Sequence, residues 1–184
     1  SGSSDSYYIH LTSWDNDEDS AGSYQEAPKG GSRAGNPTFP TSWTLIDTDG
    51  NDIDGDDSVE ILTLHYASDS EFIFFMITTE SGADLADSTF GVLIDDVTTN
   101  VGTYEAACGT WSHSTSVKRA YVYQWDSEWV RQGSGSDYND HVKENDGHNG
   151  VKLACDKDEL GFVIDETAGT GDRLLAVSTD VDQK

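Results

Sequence analysis

The stretch "VEILTLHYASDSEFIFFMITT", residues 59–79, decides how this chain folds. It contains two nearly continuous apolar runs, 59–67 and 71–79, on either side of the turn-like "SDS". Apolar runs of this length, bounded by turn residues, are typical of strands that are buried on both faces. The stretch therefore predicts two consecutive strands at the centre of the fold.

Short strand-like segments continue on both sides of this pair. They are predicted at 7–12, 88–95, 102–108, 117–125, 128–132, 150–155, 159–165 and 173–180. Clusters of Gly, Ser, Asp and Asn separate them, and no ten residues hold a helical period of 3.6 well. Short strands at this spacing predict an all-β fold: an antiparallel β-sandwich of the jelly-roll or immunoglobulin-like type.

The first strand is separated from the rest by a long polar stretch. Residues 1–14 contain the alternating segment "YYIHLT" (Tyr7, Tyr8, Ile9, His10, Leu11, Thr12), and residues 43–184 form the sandwich body. The 28 residues between them, 15–42, are rich in Gly and Pro. Loops of that length are uncommon inside a compact domain. Either this one wraps the surface of its own domain, or it tethers a strand that pairs with an open sheet edge of a neighbouring molecule.

The charge of the chain restricts its partners. It carries 35 acidic and 10 basic residues, a net charge of -25. A surface this acidic repels nucleic acid and anionic membranes, so both are excluded as partners. No run approaches 18 apolar residues, so no transmembrane helix is predicted. Bound divalent cations or a saline medium would offset the self-repulsion.

The densest acidic segment, "DTDGNDIDGDD" at 47–57, predicts a calcium site. It fails as an EF-hand loop, because Asp52 stands at the invariant glycine position and Ser58 at the twelfth. Aspartates this close repel one another unless a cation lies among them, although a solvated acidic loop is the alternative. The candidate ligands are Asp47, Asp49, Asn51, Asp52, Asp54, Asp56 and Asp57, followed by Asp95 and Asp96 at the end of "GVLIDD".

The two cysteines, Cys108 and Cys155, are each placed on the inward face of a predicted strand. They are expected to form one disulfide, with two buried thiols as the alternative. A disulfide indicates an oxidising compartment. The opening "SGSSDSYY", without Met, is typical of a mature form after signal-peptide cleavage, so we expect a secreted or cell-surface protein.

Aromatic side chains offer a second kind of site. One strand face carries Tyr121, Tyr123 and Trp125, with Trp129 across the hairpin, and Trp111 lies in the loop-like "CGTWSHS". Exposed rings of this kind would form a platform for a polysaccharide, and buried ones would belong to the sandwich core.

From residue 43 onward the chain resembles family 9 carbohydrate-binding modules and DOMON domains. The resemblance rests on an acidic loop leading into 59–79, on "STFGVLIDDV", on the hairpin "AYVYQWDSEW" and on "ELGFVID". Where the family has Ile directly after an acidic residue, this chain has "VEI" at 59–61. The resemblance implies a β-sandwich from a secreted or surface protein, one that binds sugars, sometimes binds haem, or serves as a structural module.

Two functions are therefore expected as alternatives. Enzyme signatures such as GxSxG, HExxH, a P-loop or GxGxxG are absent from the sequence, which favours a non-enzymatic role. The first expected role is a calcium-stabilised subunit of an extracellular filament, sheath or surface layer, a homopolymer joined by exchange of strand 7–12. The second is a carbohydrate-binding module.

Overall fold

The computed structural model describes residues 36–48, 58–98, 104–114, 117–127, 129–133, 136–167 and 171–180. The strands within these ranges are β1 (Thr44–Thr48), β2 (Ile61–Ser68), β3 (Phe72–Thr79), β4 (Ser88–Asp95), β5 (Ala106–Ser114), β6 (Val117–Trp125), β7 (Trp129–Arg131), β8 (Val142–Glu144), β9 (Gly150–Asp156) and β10 (Arg173–Asp180). They form two five-stranded antiparallel sheets. The first has the order β1-β2-β3-β9-β8, and the second has the order β10-β4-β5-β6-β7. The all-β sandwich expected from the sequence is thus present.

The main core lies between the two sheets. Side chains alternate along each strand, so every second residue of the central strands points inward. The large buried side chains of this core include Ile73, Phe75, Ile77, Phe90, Ile94 and Leu153. The predicted disulfide joins the sheets inside it, because Cys108 of β5 and Cys155 of β9 are bonded with their Cα atoms 5.9 Å apart.

The outer faces of both sheets also carry buried apolar side chains. On the first sheet, Phe72 and Phe74 are covered by Phe39 and Trp43, which precede β1. The rings of Phe39 and Phe74 lie 5.7 Å apart. On the second sheet, the outer cluster contains Leu93, Ala107, Tyr121, Tyr123, Trp129, Tyr138 and Val177. In the described residues, each sheet is therefore partly covered on its outer face as well as packed against the other sheet.

The turn at "SDS" has a specific cause. The carboxylate of Asp69 accepts hydrogen bonds from the N–H groups of Glu71 at 2.8 Å and Phe72 at 2.7 Å. The Asp69 N–H donates to the Phe72 carbonyl at 3.0 Å, which closes the turn. Short acidic side chains favour such local bonds. This turn joins β2 to β3 as the sequence predicts.

Several strand predictions are confirmed. β4, β6 and β10 begin and end at the predicted residues. β3 is buried on both faces apart from two half-buried positions. The same prediction is wrong for β2, where only Leu64 is fully buried. The partly buried residues of β2 lie at one side of the sandwich.

Other predictions differ from the structure. Residues 157–159 form a short 3₁₀ helix, and the following segment to 165 bends at 160–162 and has no strand pairing, so the strand predicted at 159–165 is wrong. β5 begins later than predicted and continues to Ser114, which places Trp111 in a strand rather than a loop. β1 and β8 were not predicted. The strand predicted at 7–12 lies outside the described residues, and no helix within the described ranges is long and apolar enough to span a membrane.

Candidate functional site

One side of the sandwich has an incompletely covered core. β2 is hydrogen bonded to β1 on one edge and to β3 on the other, so it occupies an inner position of its sheet. Even so, Ile61 and Tyr66 pack against the main core while remaining only partly buried. The neighbouring strand β3, in the same sheet, is almost wholly buried. Something that would cover β2 is therefore missing from the described part of the chain.

The edge strand β10 of the second sheet lies against this side of β2. Ser178 of β10 donates its hydroxyl to the carbonyl of Val59 at 2.6 Å, which sets β10 against the start of β2. The inward side chains Leu174 and Ala176 pack against the main core but remain half-buried. We call the region lined by Ile61, Tyr66, Leu174 and Ala176 the open side.

β1 projects past the open side. All five of its side chains are exposed, so both faces of this strand lack cover. Two of them are large and apolar: Leu45 is 52% exposed and Ile46 is 45% exposed. A monomer rarely leaves an apolar edge strand uncovered, because such an edge is a template for further pairing.

A hydrogen-bonded network borders the open side. Glu166 accepts from the Ser68 hydroxyl at 2.6 Å and from the Lys157 ammonium at 2.6 Å. Burial, together with the neighbouring Glu166 carboxylate, raises the pKa of Tyr66 above its usual range. Burial alone would raise the pKa of Glu166, but its contacts with Lys157 and Ser68, and the nearby Tyr66 hydroxyl, outweigh burial and lower that pKa. The network therefore favours an ionised Glu166 beside a neutral Tyr66.

The predicted calcium loop is represented by one residue only. Asp47 is exposed in β1, and its carboxylate accepts the N–H of Thr48 at 2.8 Å. The other six loop candidates, Asp49, Asn51, Asp52, Asp54, Asp56 and Asp57, lie outside the described residues. The calcium prediction for this loop stays a prediction.

The second pair of candidate ligands is buried at the end of β4. Asp95 is 2% exposed and Asp96 is 6% exposed. The Asp96 carboxylate accepts both the N–H of Thr98, at 2.9 Å, and its hydroxyl, at 2.6 Å. The N–H of Asp96 donates to the carboxylate of Glu105 at 2.8 Å. These contacts use the acidic side chains to hold the turn that follows β4.

A third carboxylate joins this end of the sheet. Asp172 accepts from the N–H of Val97 at 3.2 Å and from the N–H of Asp165 at 2.8 Å. Burial, and then the neighbouring carboxylates of Asp96 and Asp165, raise the pKa of Asp172. Within the described ranges, no group of three or more His, Cys, Asp or Glu side chains is arranged to hold a metal ion.

Most of the candidate sugar-binding rings are packed within the protein. Tyr121, Tyr123 and Trp129 are buried in the outer cluster of the second sheet. Trp125 is the exception, since it is 50% exposed at the end of β6. Its ring meets that of Trp129 edge to face, with centroids 5.2 Å apart. The prediction of a sugar platform therefore depends on Trp125 among these four residues; Trp111 lies in β5, paired with Arg119 in the strand register.

Sequence reasoning missed one residue of this aromatic cluster. Arg131 is 1% exposed, and its guanidinium lies 4.8 Å from the centre of the Tyr121 ring. The other side of the cluster is closed by Tyr138, whose ring lies 4.8 Å from that of Tyr121. An arginine in a short hairpin strand gives no sequence signal of burial, because alternation alone does not show that an outer face is covered.

No protein-family model, curated protein or solved structure gives a significant match to this chain.

Proposed function

We propose that this protein is a non-enzymatic, secreted structural subunit of an extracellular filament, sheath or surface layer. Copies join by strand addition at the open side. The observation that carries the proposal is the half-buried state of β2, which has a strand on each edge and still leaves Ile61 and Tyr66 partly exposed. A sheet with this defect gains free energy when another chain covers it.

The size of that gain supports assembly. Full burial of a large apolar side chain contributes about 1.5–3 kcal/mol, so completing the cover of one that is less than about a third exposed contributes at most about 0.5–1 kcal/mol. Leu45 and Ile46 on the projecting strand are about half exposed and add to the same surface. Several such contacts, together with main-chain hydrogen bonds along a sheet edge, are sufficient for a specific association.

Charge gives the assembly a requirement for cations. Each copy carries a net charge of -25, so neighbouring copies repel unless the charge is screened or neutralised. We propose calcium at the acidic loop 47–57 as the neutralising ion. The buried disulfide fits an oxidising, extracellular setting. A jelly-roll or immunoglobulin-like classification of the sandwich belongs to the same proposal.

The test is electron microscopy and sedimentation of the purified chain, with calcium or with a chelator, at matched ionic strength. We expect ordered polymers with calcium. The double substitution Leu45→Thr/Ile46→Thr keeps β propensity while removing apolar surface, so it should raise the concentration needed for polymerisation. The matched control is Val163→Thr, since Val163 is 94% exposed and is not part of a strand. Monomers under every condition, at concentrations up to the solubility limit, would reject the proposal.

A second candidate function is binding of a polysaccharide through Trp125. One specific observation favours it: a tryptophan that is 50% exposed and held edge to face by Trp129 is pre-oriented for stacking on a sugar ring. Tryptophan fluorescence with a panel of polysaccharides tests this role. A response that is lost in Trp125→Ala would support it, and a panel without any response would remove it.

A further inference from the structure

We propose that the acceptor for the added strand is the free edge of β10, beneath the projecting strand β1. The occupant is the segment Tyr7–Thr12 of a second copy. This inference rests on the proposed function, and it names both the edge and the partner.

Among the described strands, two sheet edges without a pairing partner flank the open side, and β1 is the poorer acceptor. It has five residues, and its register with β2 shifts between Leu45 and Asp47. A bulge of this kind twists an edge and interrupts its row of hydrogen-bonding groups, which protects the edge from further pairing.

β10 is the better acceptor. It has eight residues and pairs with β4 without a register shift, from Arg173 opposite Asp95 to Asp180 opposite Ser88. In an antiparallel strand successive residues direct their N–H and C=O groups to opposite edges. About four residues of β10 therefore present backbone groups to its free edge in a regular row.

The side chains near that edge are incompletely covered within the described residues. On β10 the inward side chains Leu174 and Ala176 are only partly buried, and Ile61 and Tyr66 of the facing strand β2 are partly buried as well. β1 lies beyond β2 and is exposed on both faces. A strand paired to β10 would extend the second sheet opposite β1 and add cover to this side of the core.

The chemistry of the segment 6–13, "SYYIHLTS", suits this space. Its alternation sets Tyr7, Ile9 and Leu11 on one face, which matches an apolar gap on one side of the added strand. It contains no Asp, Glu, Lys or Arg in a chain whose net charge is -25. This segment therefore enters an acidic neighbour without adding a like charge to the contact.

The connection is long enough to reach a second copy. Residues 13–35 lead from the segment to Asn36, and Phe39 is already packed on the outer face of the first sheet. Fully extended, this connection spans about 75 Å, whereas a domain of this length is about 40 Å across. A neighbouring molecule's β10 edge lies within that reach.

The test uses cysteine pairs in the full chain, treated with a mild oxidant. Ile9→Cys combined with Ala176→Cys places one thiol on the inward face of the added strand and one on β10. Residues directly opposite each other on adjacent antiparallel strands have Cα atoms about 4.5–5.5 Å apart, which is within disulfide distance. Leu174→Cys, two residues along the same face, replaces Ala176→Cys if that variant folds poorly. The native cysteines do not interfere, because both are buried and already bonded to each other.

We expect Ile9→Cys with Ala176→Cys to give a ladder of covalent oligomers on a non-reducing gel. His10→Cys with Ala176→Cys is the control for the opposite face of the added strand. It should give little covalent oligomer, since position 10 alternates to the other face. Bonding of Ile9→Cys to Ile46→Cys instead would reject β10 as the acceptor and leave assembly standing. A cross-linked product that runs as a monomer would reject the second copy. If the variants polymerise but form no cross-link, the β10 edge is rejected as the acceptor and the proposed function stands. If they stay monomeric and form no cross-link, the proposed function is rejected as well.

Discussion

Loss of the disulfide between Cys108 and Cys155 is predicted to remove a large part of the stability of this protein. The bridge spans 47 residues of chain. On the chain-entropy model, closing a loop of that length restricts the unfolded chain and contributes about 4 kcal/mol. Domains are typically stable by about 5–15 kcal/mol in total, so the loss would be a quarter or more of the whole. The sulfur atoms are also fully buried between the sheets, so their removal leaves a gap in the core.

The assay is urea unfolding at fixed ionic strength for three forms of the protein. These are the oxidised wild type, the wild type reduced in urea and refolded with reductant, and Cys108→Ala/Cys155→Ala. The reduced form keeps both sulfur atoms, so it separates the cross-link from the gap in the core. We expect both altered forms to lose about 3–5 kcal/mol and to unfold with a steeper dependence on urea, because an uncrosslinked unfolded chain exposes more surface. A loss below about 1 kcal/mol with an unchanged slope would refute the argument that the bridge acts on the unfolded chain.

Three further predictions concern named residues of the body. Glu166→Gln should lower the free energy of unfolding at pH 7 by less than about 1 kcal/mol. Because the pKa of Glu166 is lowered in the folded protein, its stabilising contribution is present above the unfolded pKa and is lost as the pH falls through the folded pKa. Equal losses of stability at pH 7 and pH 3, measured by chemical unfolding, would contradict this prediction. Gly150→Ala should destabilise the protein severely, because the backbone has φ +120° and a Cβ there would lie 2.1 Å from the Ile77 carbonyl oxygen. The control Gly147→Ala, at φ +77° with open space around it, should cost about 1 kcal/mol by thermal unfolding. Similar losses of stability for the two variants would be inconsistent with a steric origin. Asp69→Ala should cost about 1–2 kcal/mol by removing the acceptor of two turn N–H groups, and an unchanged melting temperature would show that the turn does not need it.

Much of the sheet structure follows from local pattern. β4, β6 and β10 have the predicted bounds because their apolar runs end at clear turn residues. The inward positions of Cys108 and Cys155 follow from strand alternation, which made a disulfide between two strands a sound expectation. These features depend on residues close together in the chain, so they can be predicted from the sequence.

The candidate site could be predicted only in part. The sequence pattern marks Tyr121, Tyr123 and Trp125 as one face of β6, but it does not show that the first two are covered by Tyr138 and its neighbours while Trp125 is left exposed. Coverage of an outer face depends on segments distant in sequence. The six loop candidates from Asp49 to Asp57 and the segment Tyr7–Thr12 lie outside the described residues, so their roles remain predictions.

The sequence by itself determined the fold class, most strand positions and the inward placement of the two cysteines, because alternation and turn chemistry act over a few residues. Tertiary structure alone decided which strands became neighbours. Both 59–67 and 71–79 read as apolar runs in the sequence, yet β3 is almost wholly buried and most of β2 is only partly buried. Within the described residues, β2 lies next to the edge strand β1 and β3 lies at the centre of the sheet. Burial is a property of what lies opposite a strand, and no local pattern records that.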